Sequence, residues 1–298
     1  MVDSTRSSVP SSSRPDANRM AVIGGGTMGT GIAFVFAQAG FATTVVEPLD
    51  ARSQTMTAEL RGAAEGAVTR GKLDRAGADA TLERIERVAS IDSLASGLDL
   101  IVETVPERFE LKTEVLAAVS AKEPRLLATN TSSISIDRLA EAVSAPERFV
   151  GMHFFNPVWS LPLVEIIRGT ATSNATIAET ERMVALINKQ SIVVADIPGF
   201  ATSRLDLIAS LEAMRMLEEG VATAADIDRA AELAYRHPVG PLRLSDIVGL
   251  DVRLDIARQL ESVYGERYRP PQILVDHVAA GRLGRKSGRG FHDWTPVS

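Results

Sequence analysis

The sequence contains no cysteine, which removes disulfides, thiolate nucleophiles and sulfur-ligated metals together. Histidine is nearly as scarce: His153, His237, His277 and His292 are the only 4, and their scatter along the chain speaks against a histidine-built metal site. There is no basic excess. The formal net charge is -6, so the chain lacks the positive field that nucleic-acid binding requires, although a local basic patch for a phosphate-bearing ligand stays open. No apolar run approaches the length of a membrane helix. Residues 1–17, rich in serine with Pro10 and Pro15, hold no apolar stretch of the secretory kind and are expected to be a disordered tail. What remains is a chain of 298 residues, 45% hydrophobic and 23% charged, with ordinary globular composition and length for two cores. The cytoplasm is its default location.

Order begins at Met20 to Ile23, a short buried strand that runs into Gly24-Gly-Gly-Thr-Met-Gly29. Gly24, Gly26 and Gly29 have the G-x-G-x-x-G spacing, and an apolar helix pattern through Ile32, Ala33, Val35 and Phe36 follows, closed by Gly40. Such a spacing alone is weak. Here a strand precedes it, a helix follows, and a second strand, Thr43 to Val46, ends in Glu47, 18 positions beyond Gly29. The glycines permit a tight turn and close approach of a pyrophosphate, while the helix start supplies N–H groups around Thr27 and Met28. Glu47 is placed to accept hydrogen bonds from ribose hydroxyls and to repel a 2'-phosphate. With no arginine in Pro48-Leu49-Asp50, NAD is the expected cofactor rather than NADP.

Helical periodicity covers Ala51 to Ala80, and short strands are expected at Ile85 to Val88, Leu98 to Glu103 and Leu126 to Thr129. Alternating strands and helices predict an α/β domain with a Rossmann-type, doubly wound parallel sheet, whose ligands bind beyond the carboxyl ends of the strands. Glu103 and Glu107, ahead of a helix from Phe109 to Val119, lie at one such end, and Asn130-Thr-Ser-Ser133 at another. Glu103, Glu107 and Asn130 join the expected cofactor contacts. Ser132 and Ser133 read either as a helix cap before Asp137 or as substrate or nicotinamide contacts, the latter being preferred. After a helix from Ala175 to Lys189 and a strand from Ile192 to Val194, Asp196-Ile-Pro-Gly-Phe200 breaks the pattern. Beyond it every segment reads as helix: Arg204 to Glu219, Thr223 to Tyr235, Asp246 to Tyr264 and Pro271 to Ala280. The division is therefore 18–197 for the dinucleotide-binding domain and 198–298 for an all-α C-terminal domain. The apolar stripes of the latter, Leu205 to Leu217 above all, predict a homodimer.

The stretch that carries chemistry is Arg148 to Ile167. Two apolar strand-like runs, Phe149 to Met152 and Leu161 to Ile167, flank a turn at Asn156-Pro157, with His153 beside the first and Glu165 inside the second. A carboxylate among Leu163, Val164, Ile166 and Ile167 needs a partner to offset its desolvation, and His153 is the candidate. A carboxylate-held imidazole suits a general base that takes a proton from an alcohol. The plainer reading also stands: a core histidine satisfied by a backbone carbonyl, with Glu165 reaching out from a strand end.

Taken together, Gly24-Gly-Gly-Thr-Met-Gly29, Asn130-Thr-Ser-Ser133, Gly151-Met-His-Phe-Phe-Asn-Pro157, Leu163-Val-Glu-Ile-Ile167, Asp196-Ile-Pro-Gly-Phe200, His237-Pro-Val-Gly-Pro241 and the segment from Gly281 to Phe291 resemble the L-3-hydroxyacyl-CoA dehydrogenase family, including its bacterial 3-hydroxybutyryl-CoA members. The resemblance covers nearly everything after the tail. It implies an NAD-dependent oxidoreductase in which His153 takes the 3-hydroxyl proton, Glu165 orients it, Ser132 contacts the substrate oxygen and Asn156 lies beside the histidine.

Three departures cluster on the substrate side of that resemblance. Ser203 stands where the family places an asparagine, in Asn-Arg-Leu, to hold the substrate. Gly62, next to Arg61, stands where members commonly carry a lysine that meets CoA. Trp159 and Pro162 replace a usual proline and lysine in the loop between His153 and Glu165, and a large aromatic there would either narrow the acyl channel or anchor the loop. The expected substrate is a short-chain L-3-hydroxyacyl-CoA thioester. An acyl-carrier-protein thioester and a catalytically degenerate dinucleotide-binding homologue are the alternatives. No metal, nucleic acid or membrane partner is expected.

Overall fold

The structure is a computed structural model that describes residues 18–295; the expected tail, 1–17, lies outside the described residues. The chain forms two compact units that divide between Asp196 and Ile197.

In the first unit the elements run β1 (Arg19–Ile23), α1 (Thr27–Gln38), β2 (Ala42–Val46), α2 (Asp50–Thr69), α3 (Arg75–Glu83), β3 (Ile85–Val88), β4 (Leu100–Glu103), α4 (Phe109–Ser120), β5 (Leu127–Thr129), α5 (Ile136–Ala140), β6 (Phe149–Phe154), β7 (Leu163–Arg168), α6 (Asn174–Leu186) and β8 (Gln190–Ala195). They build one 8-stranded sheet in the order β3-β2-β1-β4-β5-β6-β7-β8. Strands β1 to β6 pair in parallel, each crossover carrying a helix or longer loop back over the sheet. Helices on both faces explain why β4 and β6 are buried at every position instead of alternating. The same sandwiching buries an unbroken run of α1 from Gly29 to Ala37.

The sheet is not parallel throughout. Strand β7 returns antiparallel to β6, because the loop between them is too short for a crossover, and β8 then follows β7 in parallel through α6. The reversal has a chemical consequence, since an antiparallel pair sets residues of the two strands directly opposite one another.

The second unit holds α7 (Thr202–Glu218), α8 (Ala224–Tyr235), α9 (Pro241–Val248), α10 (Leu250–Tyr264) and α11 (Gln272–Ala279), packed on Leu207, Leu211, Met214, Leu254, Ala257 and Leu274. Two expected helices are each broken in two. Ala51 to Ala80 divides into α2 and α3, with Asp74 capping the second through the Gly77 N–H at 2.7 Å. Asp246 to Tyr264 divides at Gly249, whose φ of 108° lies outside the helical range and is accessible to glycine. The carboxyl-terminal segment is clasped by two buried carboxylates. Asp246 accepts from the Phe291 and His292 N–H groups and from Trp294 Nε1, and Asp228 accepts from His292 Nε2 at 2.7 Å.

Candidate active site

A cleft of about 890 Å³ opens in the first unit over the carboxyl ends of β1, β2, β4, β5 and β6. It includes the gap between β1 and β4, where the strand order reverses direction, which is where open α/β sheets bind ligands.

One wall is the glycine loop. A Cβ on Gly29 would stand 1.9 Å from the Gly24 carbonyl oxygen, so the turn closes only with glycine there. A Cβ on Gly26 would meet nothing within 4 Å, which leaves open space on the cleft side of the loop. Gly26 caps α1 without any side-chain hydrogen bond, and no acidic residue occupies the first turn. The leading N–H groups of α1, around Thr27 and Met28, therefore face the cleft with the positive end of the helix dipole, as a pyrophosphate requires. Glu47, only 6% exposed, is held by the Gly25 and Leu49 N–H groups, each at 2.9 Å. These features fit a dinucleotide. Arg52 also lines this end, which the three residues after Glu47 did not disclose, but its guanidinium is tied to the Gly25 carbonyl at 2.6 Å and to Glu59 at 2.6 Å.

At the other end lies His153, the fifth residue of β6, directly opposite Glu165 of β7 in the antiparallel register. Its Nδ1 is 2.9 Å from Glu165 Oε2, and the carboxylate is fully buried. Because an ionised carboxylate only accepts, Nδ1 carries the hydrogen and Nε2 becomes the basic nitrogen of the neutral ring. Phe155 packs its ring 4.4 Å from the imidazole. Asn130 joins the carboxyl ends of β5 and β6, its Oδ1 accepting from the Phe154 N–H at 2.9 Å.

Between the two ends, the loop after β5 is organised by Glu107. Its Oε1 accepts from Thr131 Oγ1 at 2.5 Å, from the Ser132 and Ser133 N–H groups at 3.0 and 3.1 Å, and from Ser133 Oγ at 3.0 Å. Burial pushes this carboxyl up, but the hydrogen bonds and the charge of Lys112 outweigh it, and its pKa falls below the usual glutamate value. Ser132 is thereby fixed at the cleft wall. The cap of α5 is Ser135, which accepts from the Arg138 N–H, so the capping reading of Ser132 and Ser133 does not hold.

Glu103 is a correction. Its side chain is fully buried and spent on Lys112 Nζ at 2.9 Å, Thr129 Oγ1 at 2.5 Å and the Val105 N–H at 2.6 Å, so its carboxylate does not face the cleft as a cofactor contact must. Burial raises its pKa above the ordinary range against the opposing pull of Lys112. Lys112 was missed by sequence reasoning. A signal existed: Lys112 lies on the buried stripe of α4 with Leu116 and Val119, where an unpaired lysine would be costly.

Three other residues fall elsewhere. Asn156 is exposed in the loop after β6 and does not line the cleft. Ser203 stands in the first turn of α7, in the second unit. Trp159 packs edge-on against Phe34, centroids 6.2 Å apart, on the main core of the first unit. That makes it a loop anchor, assisted by Lys189, whose Nζ donates to the Val158 and Leu161 carbonyls at 2.6 Å each. Arg61 and Gly62 are exposed on α2.

Residues 19–197 match the family model for the NAD binding domain of 3-hydroxyacyl-CoA dehydrogenase, and residues 199–294 match that for its C-terminal domain. A 3-hydroxybutyryl-CoA dehydrogenase of Bradyrhizobium diazoefficiens is 41% identical over 279 residues, which cover 93% of this chain and 95% of the relative. One from Mycobacterium tuberculosis is 40% identical over 281 residues, covering 93% of this chain and 98% of the relative. The crystal structure of (S)-3-hydroxybutyryl-CoA dehydrogenase PaaH1 from Ralstonia eutropha superposes with a TM-score of 0.89 at 37% identity, covering 94% of this chain and 100% of that one. Matched in order through both of its parts, the chain belongs to the 3-hydroxyacyl-CoA dehydrogenase family.

Proposed function

We propose that this chain oxidises the 3-hydroxyl group of an L-3-hydroxyacyl-CoA thioester of the 3-hydroxybutyryl kind, and catalyses the reverse reduction, with NAD. The observation that carries the reading is the His153–Glu165 pair, set across β6 and β7 in the same cleft as the glycine loop. In the oxidation, His153 Nε2 takes the hydroxyl proton as the C3–H bond gives up its electron pair. Bound NAD supplies the acceptor for that pair. Glu165 holds the Nδ1–H tautomer and offsets the charge that the ring gains. Ser132, anchored through Glu107, donates to the substrate oxygen as the carbonyl forms. On the cofactor side Gly24, Gly26, Thr27, Met28 and Gly29 hold the pyrophosphate, Glu47 takes the adenosine ribose, and Glu107 and Asn130 border the nicotinamide end.

Association as a homodimer through the second unit is part of the proposal, supported by apolar side chains left exposed there, Leu205 at 70%, Leu233 at 71% and Tyr235 at 77%. Steady-state reduction of acetoacetyl-CoA with NADH tests the activity, beside the same acyl group on a carrier protein. Turnover of the CoA thioester with a weaker carrier-protein reaction is expected; no turnover of any CoA thioester would overturn the reading.

A further inference from the structure

The corner of the cleft that takes the adenosine ribose carries two contradictory signals. Glu47, just after β2, selects against a 2'-phosphate, whereas an arginine beside that position is the group that accepts one, and Arg52, in the first turn of α2, lines the same cleft. The two charges lie on opposite edges of one residue. Gly25 donates its N–H to Glu47 Oε2 at 2.9 Å, and its carbonyl accepts from Arg52 Nε at 2.6 Å and from Thr30 Oγ1 at 3.1 Å. The loop presses closely on this corner, since a Cβ on Gly25 would stand 3.0 Å from Met56 Sδ of α2 and 3.2 Å from Glu47 Cβ. Glu59, about two turns farther along the same face of α2, removes the contradiction. Its carboxylate takes Arg52 in a two-pronged pair, Nη1 to Oε1 at 3.2 Å and Nη2 to Oε2 at 2.6 Å, and Thr30 Oγ1 lies 3.3 Å from Nη2. The fork of the guanidinium that would grip phosphate oxygens is thereby filled by a carboxylate of the chain itself. Glu59 does not line the cleft.

We propose that Glu59 is a specificity-determining residue of the cofactor seat: by occupying Arg52 it keeps shut a latent subsite for the 2'-phosphate of NADPH, while Arg52 Nε braces the glycine loop through the Gly25 carbonyl. The proposal deepens the cofactor assignment above and rests on it. Without Glu59, Nε keeps its hold on Gly25, and the two Nη atoms are left with hydrogens to donate into the cleft beside the ribose that Glu47 takes. A phosphate on that ribose then gains a charge-assisted partner. Glu47 remains in place, so NADH stays the better ligand and the change shows as a narrowed preference.

The test titrates NADH and NADPH into the full chain and reads the ratio of the two dissociation constants. Glu59→Ala, a helix-favouring change at a partly exposed position, is expected to tighten NADPH relative to NADH by roughly 5- to 30-fold, the value of charge-assisted hydrogen bonds to phosphate reduced by the repulsion of Glu47. Glu59→Gln, which keeps the size and one acceptor without the charge, should give a smaller gain in the same direction. Arg52→Met should weaken NADH through the slackened loop, raising KM for NADH more than it lowers kcat, with no gain for NADPH. Glu59→Ala combined with Arg52→Met should also show no gain, whereas a gain that came only from disturbing α2 would survive there. Should Arg52→Met fail to fold, Arg52→Gln, whose amide can still donate to the Gly25 carbonyl, takes its place in both comparisons. An unchanged ratio in Glu59→Ala overturns the proposal, as does a gain for NADPH that persists without Arg52. Failure of the wild type to bind NADH would instead defeat the cofactor seat itself, and the proposal with it.

Discussion

Replacing Glu165 by glutamine isolates what its charge contributes. The carboxylate is fully buried and 2.9 Å from His153 Nδ1, on the strand register that sets the two residues opposite each other. Glutamine keeps the size and an oxygen acceptor, so the ring stays in place. What is lost is the difference between a charge-assisted and a neutral hydrogen bond, about 1 to 2 kcal/mol, felt most when the imidazole is protonated in the transition state. At about 1.4 kcal/mol per decade, this predicts a loss in kcat of roughly 5- to 30-fold. If the amide nitrogen turns toward Nδ1, the tautomer inverts and the loss grows toward about 10⁴-fold. The imidazolium that forms as the proton is taken is less stabilised in either case. The assay is kcat for L-3-hydroxybutyryl-CoA, with NADH affinity measured separately by fluorescence and expected to stay near the wild-type value. A kcat within about twofold of wild type would refute the argument that the charge of Glu165 serves the base.

NAD should be strongly preferred over NADP, because the buried Glu47 repels a 2'-phosphate and the nearby Arg52 is already paired with Glu59; equal binding of NADPH in a titration would contradict this. Lys112→Met should destabilise the fold by about 3 to 5 kcal/mol in chemical denaturation, since it strands the buried Glu103 carboxylate. That deficit should grow as pH rises, because Glu103 already has a raised folded-state pKa, and a group of that kind favours the folded state at low pH and loses that contribution as pH climbs through the folded value. Glu107 has a lowered pKa and behaves oppositely, contributing stability above the ordinary glutamate value of about 4.3 that is lost as pH falls further; Glu107→Gln should flatten this part of the stability profile.

Much of the first unit was legible because its signals are local. The glycine loop between a strand and a helix, and alternating buried strands and amphipathic helices, announce the Rossmann-type sheet in the order of the residues themselves. His153 and Glu165 could be paired because each interrupts an apolar run on either side of a turn. The features that escaped depend on tertiary packing. Nothing local tells that Glu103 faces the interior while Glu107, 4 positions later, faces the cleft, and Lys112 joins them only because α4 lays its buried stripe against the sheet. The breaks that separate α2 from α3 and α9 from α10 look like continuous periodicity from sequence, although Gly71 and Gly249 were available as warnings. Trp159 had two readings until its contact with Phe34 was seen.

The most direct measurement is the rate of NADH-dependent acetoacetyl-CoA reduction by the wild type and by His153→Ala, with NADH affinity determined for both. The account predicts measurable wild-type turnover, a fall in kcat of roughly 10²-fold or more in the variant, and near-equal NADH binding. A variant that keeps near-normal turnover would remove His153 from the chemistry and contradict the account.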